Sequence, residues 1–333
     1  MSLIHGREGA MKRLQRFLVG LLSLALIVGF TFISEITPAQ SQTISGASSA
    51  GSPGKPVTIP VTIRLKEKTQ SESELQNIDL TIREDGDPQT LISIRAMVTN
   101  APITLALLIQ EDLVPSVSNE IKPLAEFLRK LPRGSRVMVG YLRAGSMQVR
   151  QKFTTDLEKA AKALRPPIGF ASAGPYNPYV EVIEAIRRFE SQPAGRRAIL
   201  LVSDGLDISH GVDSSSPTQS LDLQRAINEA QRRSIAVYGF YAPTLSAESN
   251  PILVGNAQSS LLRLSTETGG HAFFQGTGAP VSFDPFIREL DQTLEKQVAL
   301  TFLSTHLKKG FHRLEVRSLT PGVRIAFPSG YTR

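Results

Sequence analysis

From about residue 103 onward one pattern repeats along the chain. A short apolar run ends on polar residues, and apolar positions then recur three and four apart. Ile103–Gln110 (ITLALLIQ), Arg136–Leu142 (RVMVGYL), Arg197–Ser203 (RAILLVS) and Ile235–Tyr241 (IAVYGFY) are the main runs. Their length and their content of Val, Ile and Leu predict buried strands. The helical spacing between them predicts helices near Val117–Leu131, Asp156–Leu164, Tyr179–Glu190, Pro217–Arg233, Ser259–Thr268 and Phe283–Gln297. Met147–Phe153 and His271–Phe274 read as further strands. Alternating strands and helices imply a mostly parallel sheet covered on both faces, an α/β doubly wound fold. The repeats are too few for an eight-stranded barrel.

The flanks follow a different period. Val57–Leu65, Ile78–Arg83 and Thr90–Val98 alternate as strands do, with the turn signal Glu84-Asp85-Gly86-Asp87-Pro88 between the last two. After Val298–Ser304, the segments Phe311–Arg317 and Val323–Phe327 read as a closing hairpin turning at Thr320-Pro321-Gly322. The expected division is a targeting segment over 1–41, a linker over 42–54, a β-rich region over 55–100, the α/β domain over 101–298 and a β-hairpin extension over 299–333. The N- and C-terminal strands are expected to form a small β annex.

The first residues change the picture of where the chain works. Lys12, Arg13 and Arg16 precede the uncharged run Phe17–Ile33, and Ala39 and Ser41 suit a cut before Gln42. This predicts export, to the periplasm or outside, with an uncleaved inner-membrane anchor over 17–33 as the alternative. The 333 residues carry a formal charge of +7, with Lys and Arg spread among acids rather than set in a stripe with aromatics, so no nucleic-acid partner is expected. There is no cysteine, which excludes thiolate metal sites and thiol nucleophiles.

These strands resemble the central strands of a von Willebrand factor type A (VWFA, or VWA) domain. Ile82–Leu91 (IREDGDPQTL) resembles the EDG-x-x-Q hairpin that precedes this domain in a bacterial subgroup first noted in acidobacteria. Gly269–Phe274 and Gly310–Ser329 resemble that subgroup's tail. The resemblance covers roughly residues 55–331. It implies a Rossmann-like sheet and a metal-ion-dependent adhesion site at the sheet's carboxyl edge, built from Asp-x-Ser-x-Ser, a Thr and a distant Asp. Asp204 matches that last Asp. Gln110 stands where the lead Asp belongs, followed by Glu111-Asp112-Leu113-Val114 without Ser-x-Ser in register. The loop Gly174–Asn177 lacks the Thr. A degenerate site is therefore expected, with no cofactor. The alternative is Mg²⁺ held in a shifted site by Asp112, Asp204 and Ser116 or Ser118.

Other chemistry is sparse. Ser203-Asp204 lacks the G-x-S-x-G elbow of a hydrolase, and His210 lies in a polar loop. His271, His306 and His312 form no H-x-x-x-H pair and are expected to be isolated surface or strand-face residues. Glu111 and Asp112 are expected in a solvated loop. Phe170, Tyr176 and Tyr179, in and beside the loop Gly169–Pro178, fall at the expected ligand edge near Asp204. The expectation is a protein-binding module of adhesion type rather than an enzyme. An enzyme acting on envelope material is the alternative from another class.

Overall fold

Strand β4 (Ile103–Gln110) is buried at every position because it lies mid-sheet with both faces covered. Its odd-numbered side chains Leu105, Leu107 and Ile109 enter one core, and Ala106 and Leu108 enter another. The computed structural model describes residues 54–65, 78–96, 101–193 and 195–333. The targeting segment and all but the last residue of the linker lie outside these.

Six strands form the first sheet, in the order β6 (Ser146–Thr154), β5 (Arg136–Arg143), β4, β7 (Arg196–Ser203), β8 (Ile235–Tyr241), β9 (Ala272–Phe273). All are parallel except β6, which pairs antiparallel with β5 at the edge. In sequence terms the order is 3-2-1-4-5-6, that of doubly wound sheets. Helices α1 (Ile121–Lys130), α2 (Leu157–Lys162) and α6 (Asp284–Glu295) cover one face. Helices α3 (Pro178–Arg187), α4 (Leu221–Arg232) and α5 (Pro251–Glu267) cover the other. The chain leaves β4 toward the first face and β7 toward the second. The gap between the carboxyl ends of β4 and β7 is thus the topological switch point, where such sheets bind ligands.

The flanking strands form more than a small annex. β12 (Val323–Ala326), β1 (Lys55–Leu65), β10 (Gln297–Ser304), β3 (Asp87–Ala96), β2 (Leu80–Glu84), β11 (Phe311–Ser318) and β13 (Gly330–Thr332) make a seven-stranded antiparallel sheet in that order. It has its own core of Ile59, Val61, Ile63, Ile82, Leu300, Phe302 and neighbours. The expected hairpin of Phe311–Arg317 with Val323–Phe327 does not form. β11 pairs with β2, and β12 pairs with β1 across the sheet. The sheet curls so that β11 and β12 nevertheless approach one another. Helix α5 begins at Pro251, earlier than the apolar spacing suggests, because Asn250 caps it by accepting hydrogen bonds from the amides of Ile252 and Leu253.

Candidate functional site

At the switch point β4 ends on Gln110 and β7 ends on Ser203, with Asp204 next. Gly205 turns the chain sharply away at φ +71°, and a Cβ there would lie 2.6 Å from Leu261. Gln110 joins the two strand ends. Its Oε1 accepts from the Ser203 hydroxyl at 2.5 Å and from the Asp204 amide at 3.3 Å, and its Nε2 donates to Asp112 Oδ1 at 2.9 Å. The Asp204 N–H can only donate, which fixes the amide's orientation. Asp204 is buried, and its Oδ1 accepts from the Leu206 amide at 3.1 Å. Burial, then the nearby Asp112 carboxylate, push its pKa up to about 7 against hydrogen bonds from Leu206, Gln110 and Thr244. Burial raises the Asp112 pKa too, against the Gln110 hydrogen bond.

This donor set does not suit a hard divalent ion. The lead carboxylate is an amide whose oxygen is already engaged and whose NH₂ group points at Asp112, in place of a cation. Gly174 closes over Asp112 from the other side, so near that a Cβ would lie 2.0 Å from the carboxyl carbon. Ser116 and Ser118 fall in the 3₁₀ helix Pro115–Glu120, and Ser116 points to solvent.

Glu111 and Asp112 are not in a solvated loop. Glu111 is fully buried and pairs through both carboxylate oxygens with the Arg165 guanidinium, while the Ile168 amide donates to Glu111 Oε2 at 3.0 Å. Arg165 also lies over the Tyr141 ring at 4.2 Å. Its backbone carbonyl accepts from the Tyr141 hydroxyl at 2.6 Å. These contacts anchor the root of the loop Gly169–Pro178. Its tip is tied by a 2.8 Å hydrogen bond from the Ile208 amide to the Tyr176 carbonyl. Phe170 and Tyr176 project from this fixed loop, 69% and 70% exposed. Tyr179 does not join them. It lies in the first turn of α3, fully buried, and its hydroxyl donates to the Gly205 carbonyl at 2.5 Å. It supports the edge from beneath and offers no surface to a partner.

The polar segment after Asp204 is likewise anchored. Asp207 accepts from the Ser220 hydroxyl at 2.5 Å, and Ser220 caps α4. His210 Nδ1 lies 3.0 Å from Ser209 Oγ, whereas the Ser203 hydroxyl is spent on Gln110.

No family model matches the chain, and no curated protein matches it. Solved structures do. The chain is similar to an aerotolerance-related membrane protein from Bacteroides fragilis carrying multiple mutations to serine. There the identity is 13% and the TM-score 0.41, over 59% of this chain and 100% of that one. It is similar to the conserved hypothetical protein BatB from Bacteroides thetaiotaomicron at 13% identity and TM-score 0.40, over 59% and 98%. It is also similar to the SpRpn10 VWA domain at 14% identity and TM-score 0.33, over 51% and 86%. So a VWA domain is among its structural neighbours.

Two groups escaped the sequence reading. Arg165 sits 54 positions beyond its partner Glu111, and no spacing rule connects them. His306 and His312, expected to be isolated, meet Asp85 of the β2–β3 turn, more than 200 positions earlier. The one available signal was that EDGD and both histidines lie in or beside the flanking strands, which join in one sheet.

Proposed function

We propose that this chain is an exported, VWA-like protein-binding module that engages a protein partner through its carboxyl-edge loops without a divalent ion. The observation that carries this is the pair Phe170 and Tyr176, largely exposed on a loop held at both root and tip. Aromatic rings on a rigid support lose little entropy on binding and are the side chains that dominate interface energies. Independence of metal rests on Gln110, whose amide donates to the Asp112 carboxylate and accepts from the Asp204 backbone amide, between the two acids that a cation would otherwise bridge. Export rests on the charge and hydropathy pattern of residues 12–41. Among the described residues no helix is long and apolar enough to cross a membrane. A binding role in place of a hydrolytic one is supported at the edge by the Ser203 hydroxyl, which faces an amide rather than a base.

The test is partner capture from envelope extract by the wild type and by the double variant Phe170→Ala/Tyr176→Ala, each with and without EDTA. The double variant is expected to recover at least about tenfold less partner, since two hot-spot aromatics contribute about 2 kcal/mol each. EDTA is expected to change nothing. Equal recovery by the double variant would overturn edge binding, and loss of partner in EDTA would overturn metal independence.

A further inference from the structure

The hairpin between β2 and β3 turns at Asp85 and Gly86, both at positive φ (+51° and +92°), as in a type I′ turn. That turn aims the Asp85 carboxylate across the sheet. Its Oδ1 accepts from the Arg313 amide at 2.8 Å. Its Oδ2 lies 2.8 Å from Nδ1 of His312 on β11 and 3.4 Å from Nδ1 of His306, which follows β10.

The protons decide what this cluster is. His312 Nε2 lies 2.8 Å from the Lys308 carbonyl, which can only accept, so Nε2 carries the hydrogen. In the neutral ring Nδ1 is then a lone pair facing the Asp85 carboxylate, with Glu84 Oε1 at 3.4 Å. His306 Nε2 lies 3.1 Å from Asp87 Oδ2, and donating there leaves its Nδ1 lone pair facing the same Asp85 oxygen. The Nδ1 atoms of both rings and the Asp85 carboxylate thus converge, all within 4.8 Å of one another, and an ion would take the place of the proton that His312 Nδ1 shares with Asp85 at 2.8 Å. An imidazole whose far nitrogen donates to a carbonyl or carboxylate is the arrangement that orients metal ligands. Glu84 adds an independent sign. It is fully buried, Oε1 accepts from the Tyr331 hydroxyl at 2.6 Å, and Oε2 has no hydrogen-bond partner. Oε1 is also the oxygen 3.4 Å from His312 Nδ1, so a cation held by that ring would lie beside this buried carboxylate.

We propose that Asp85, His306 and His312 form a structural site for a divalent d-block ion of the zinc class, with Glu84 balancing its charge from within the sheet. Ligand bonds of about 2.0–2.1 Å in a tetrahedron require ligand atoms roughly 3.3 Å apart, and the separations of 2.8 and 3.4 Å bracket that spacing. Two nitrogen ligands select against Mg²⁺ and Ca²⁺. His306 is partly exposed and Asp87 lies beside it, which gives the ion a way in. Once bound, the ion ties the β2–β3 turn, the segment after β10 and β11 into one unit.

The experiment strips the full chain with a chelator and titrates Zn²⁺ by calorimetry at pH 7.5, with Co²⁺ absorption and thermal melting alongside. The expected result is one ion per chain with a Kd of about 1 µM or tighter, a visible band for four-coordinate Co²⁺, and a Tm raised by about 5 °C in excess Zn²⁺. His306→Gln, at a partly exposed position, is expected to weaken binding more than about tenfold with an unchanged circular dichroism spectrum. Asp85→Asn is expected to do the same, and Asn tolerates the positive φ of the turn. Absence of Zn²⁺ uptake overturns the proposal. So does uptake of the same affinity in both variants, which would place the ion at other histidines.

Discussion

Asp204 is the residue at which the chemistry of the edge is most sharply set. Its carboxyl is buried beside Asp112, and its pKa of about 7 lies above the ordinary aspartate value. The folded protein therefore holds a proton that the unfolded chain releases near pH 4, so this group's contribution to stability falls as pH rises from about 4 to 7 and is lost above that. Asp204→Asn removes the charge and keeps an oxygen for the Leu206 amide. We expect the variant to melt higher than the wild type at pH 8, to differ little at pH 5, and to show a flatter Tm-against-pH curve. A variant that melts lower at pH 8 would mean that Asp204 is stabilised there as an anion by a bound cation. Gln110 makes the converse case. Gln110→Asp would place a third carboxylate against Asp112 and Asp204 and remove the 2.9 Å hydrogen bond that the amide donates to the Asp112 side chain. Without added Mg²⁺ it is expected to lower the denaturation midpoint in urea. Restoration of that midpoint by millimolar Mg²⁺ would show that the amide stands in for an ion.

At the scale of elements, the loop Gly169–Pro178 depends on the Glu111–Arg165 pair at its root. Arg165→Ala leaves the Glu111 carboxylate buried with only the Ile168 amide as a side-chain partner. Removing one member of a buried pair costs about 3–5 kcal/mol, and partial exposure of Arg165 places this case toward the low end. The expected outcome is a loss of about 3 kcal/mol in urea unfolding, with protease cleavage moving to residues 166–176. A stable loop uncut by protease would assign its rigidity to the Ile208–Tyr176 link instead. This pair also shows where sequence reading stops. The strands were legible because apolar runs such as ITLALLIQ and RAILLVS can only be buried, and the switch point followed from where they end. Tyr179 falls in its expected helix but faces inward, because a tyrosine beside a polar loop carries no mark of the hydroxyl acceptor that buries it. The pairing of β11 with β2 rather than β12 was hidden for a related reason. The turn signal Thr320-Pro321-Gly322 is real, but the partner strand is decided by burial of Leu314 and Val316 against Ile82, far away in sequence.

For the whole molecule, the question is how two sheets with separate cores behave as one unit. In sequence β3 of one sheet is followed by β4 of the other, and α6 leads back into β10; Arg196 at the start of β7 contacts Ala101, just before β4, and both ends of the step from α6 to β10. Its guanidinium donates to the Ala101 carbonyl at 2.8 Å, the Leu294 carbonyl at 2.8 Å and Gln297 Oε1 at 3.1 Å. Gln297, the first residue of β10, in turn donates to the buried Tyr238 hydroxyl of β8 at 2.9 Å. A planar fork that meets three acceptors is beyond a lysine. Arg196→Ala leaves those acceptors with fewer donors, and hydrogen bonds from a charged group are worth about 1.5–3 kcal/mol each. A cost of about 3 kcal/mol is expected, and its character matters more than its size. Without Arg196 the antiparallel sheet and the doubly wound sheet lose a charged link between them. Calorimetric unfolding is then expected to broaden from one transition into two, with the calorimetric enthalpy exceeding the van't Hoff value. Arg196→Lys should restore part of the stability but not the single transition. If Arg196→Ala instead shifts one sharp transition downward, cooperativity is carried by other links between the sheets, such as the hydrogen bonds of Ser329 with Gln231 and the Glu267 carbonyl, and the Arg196 grip adds stability without coupling them.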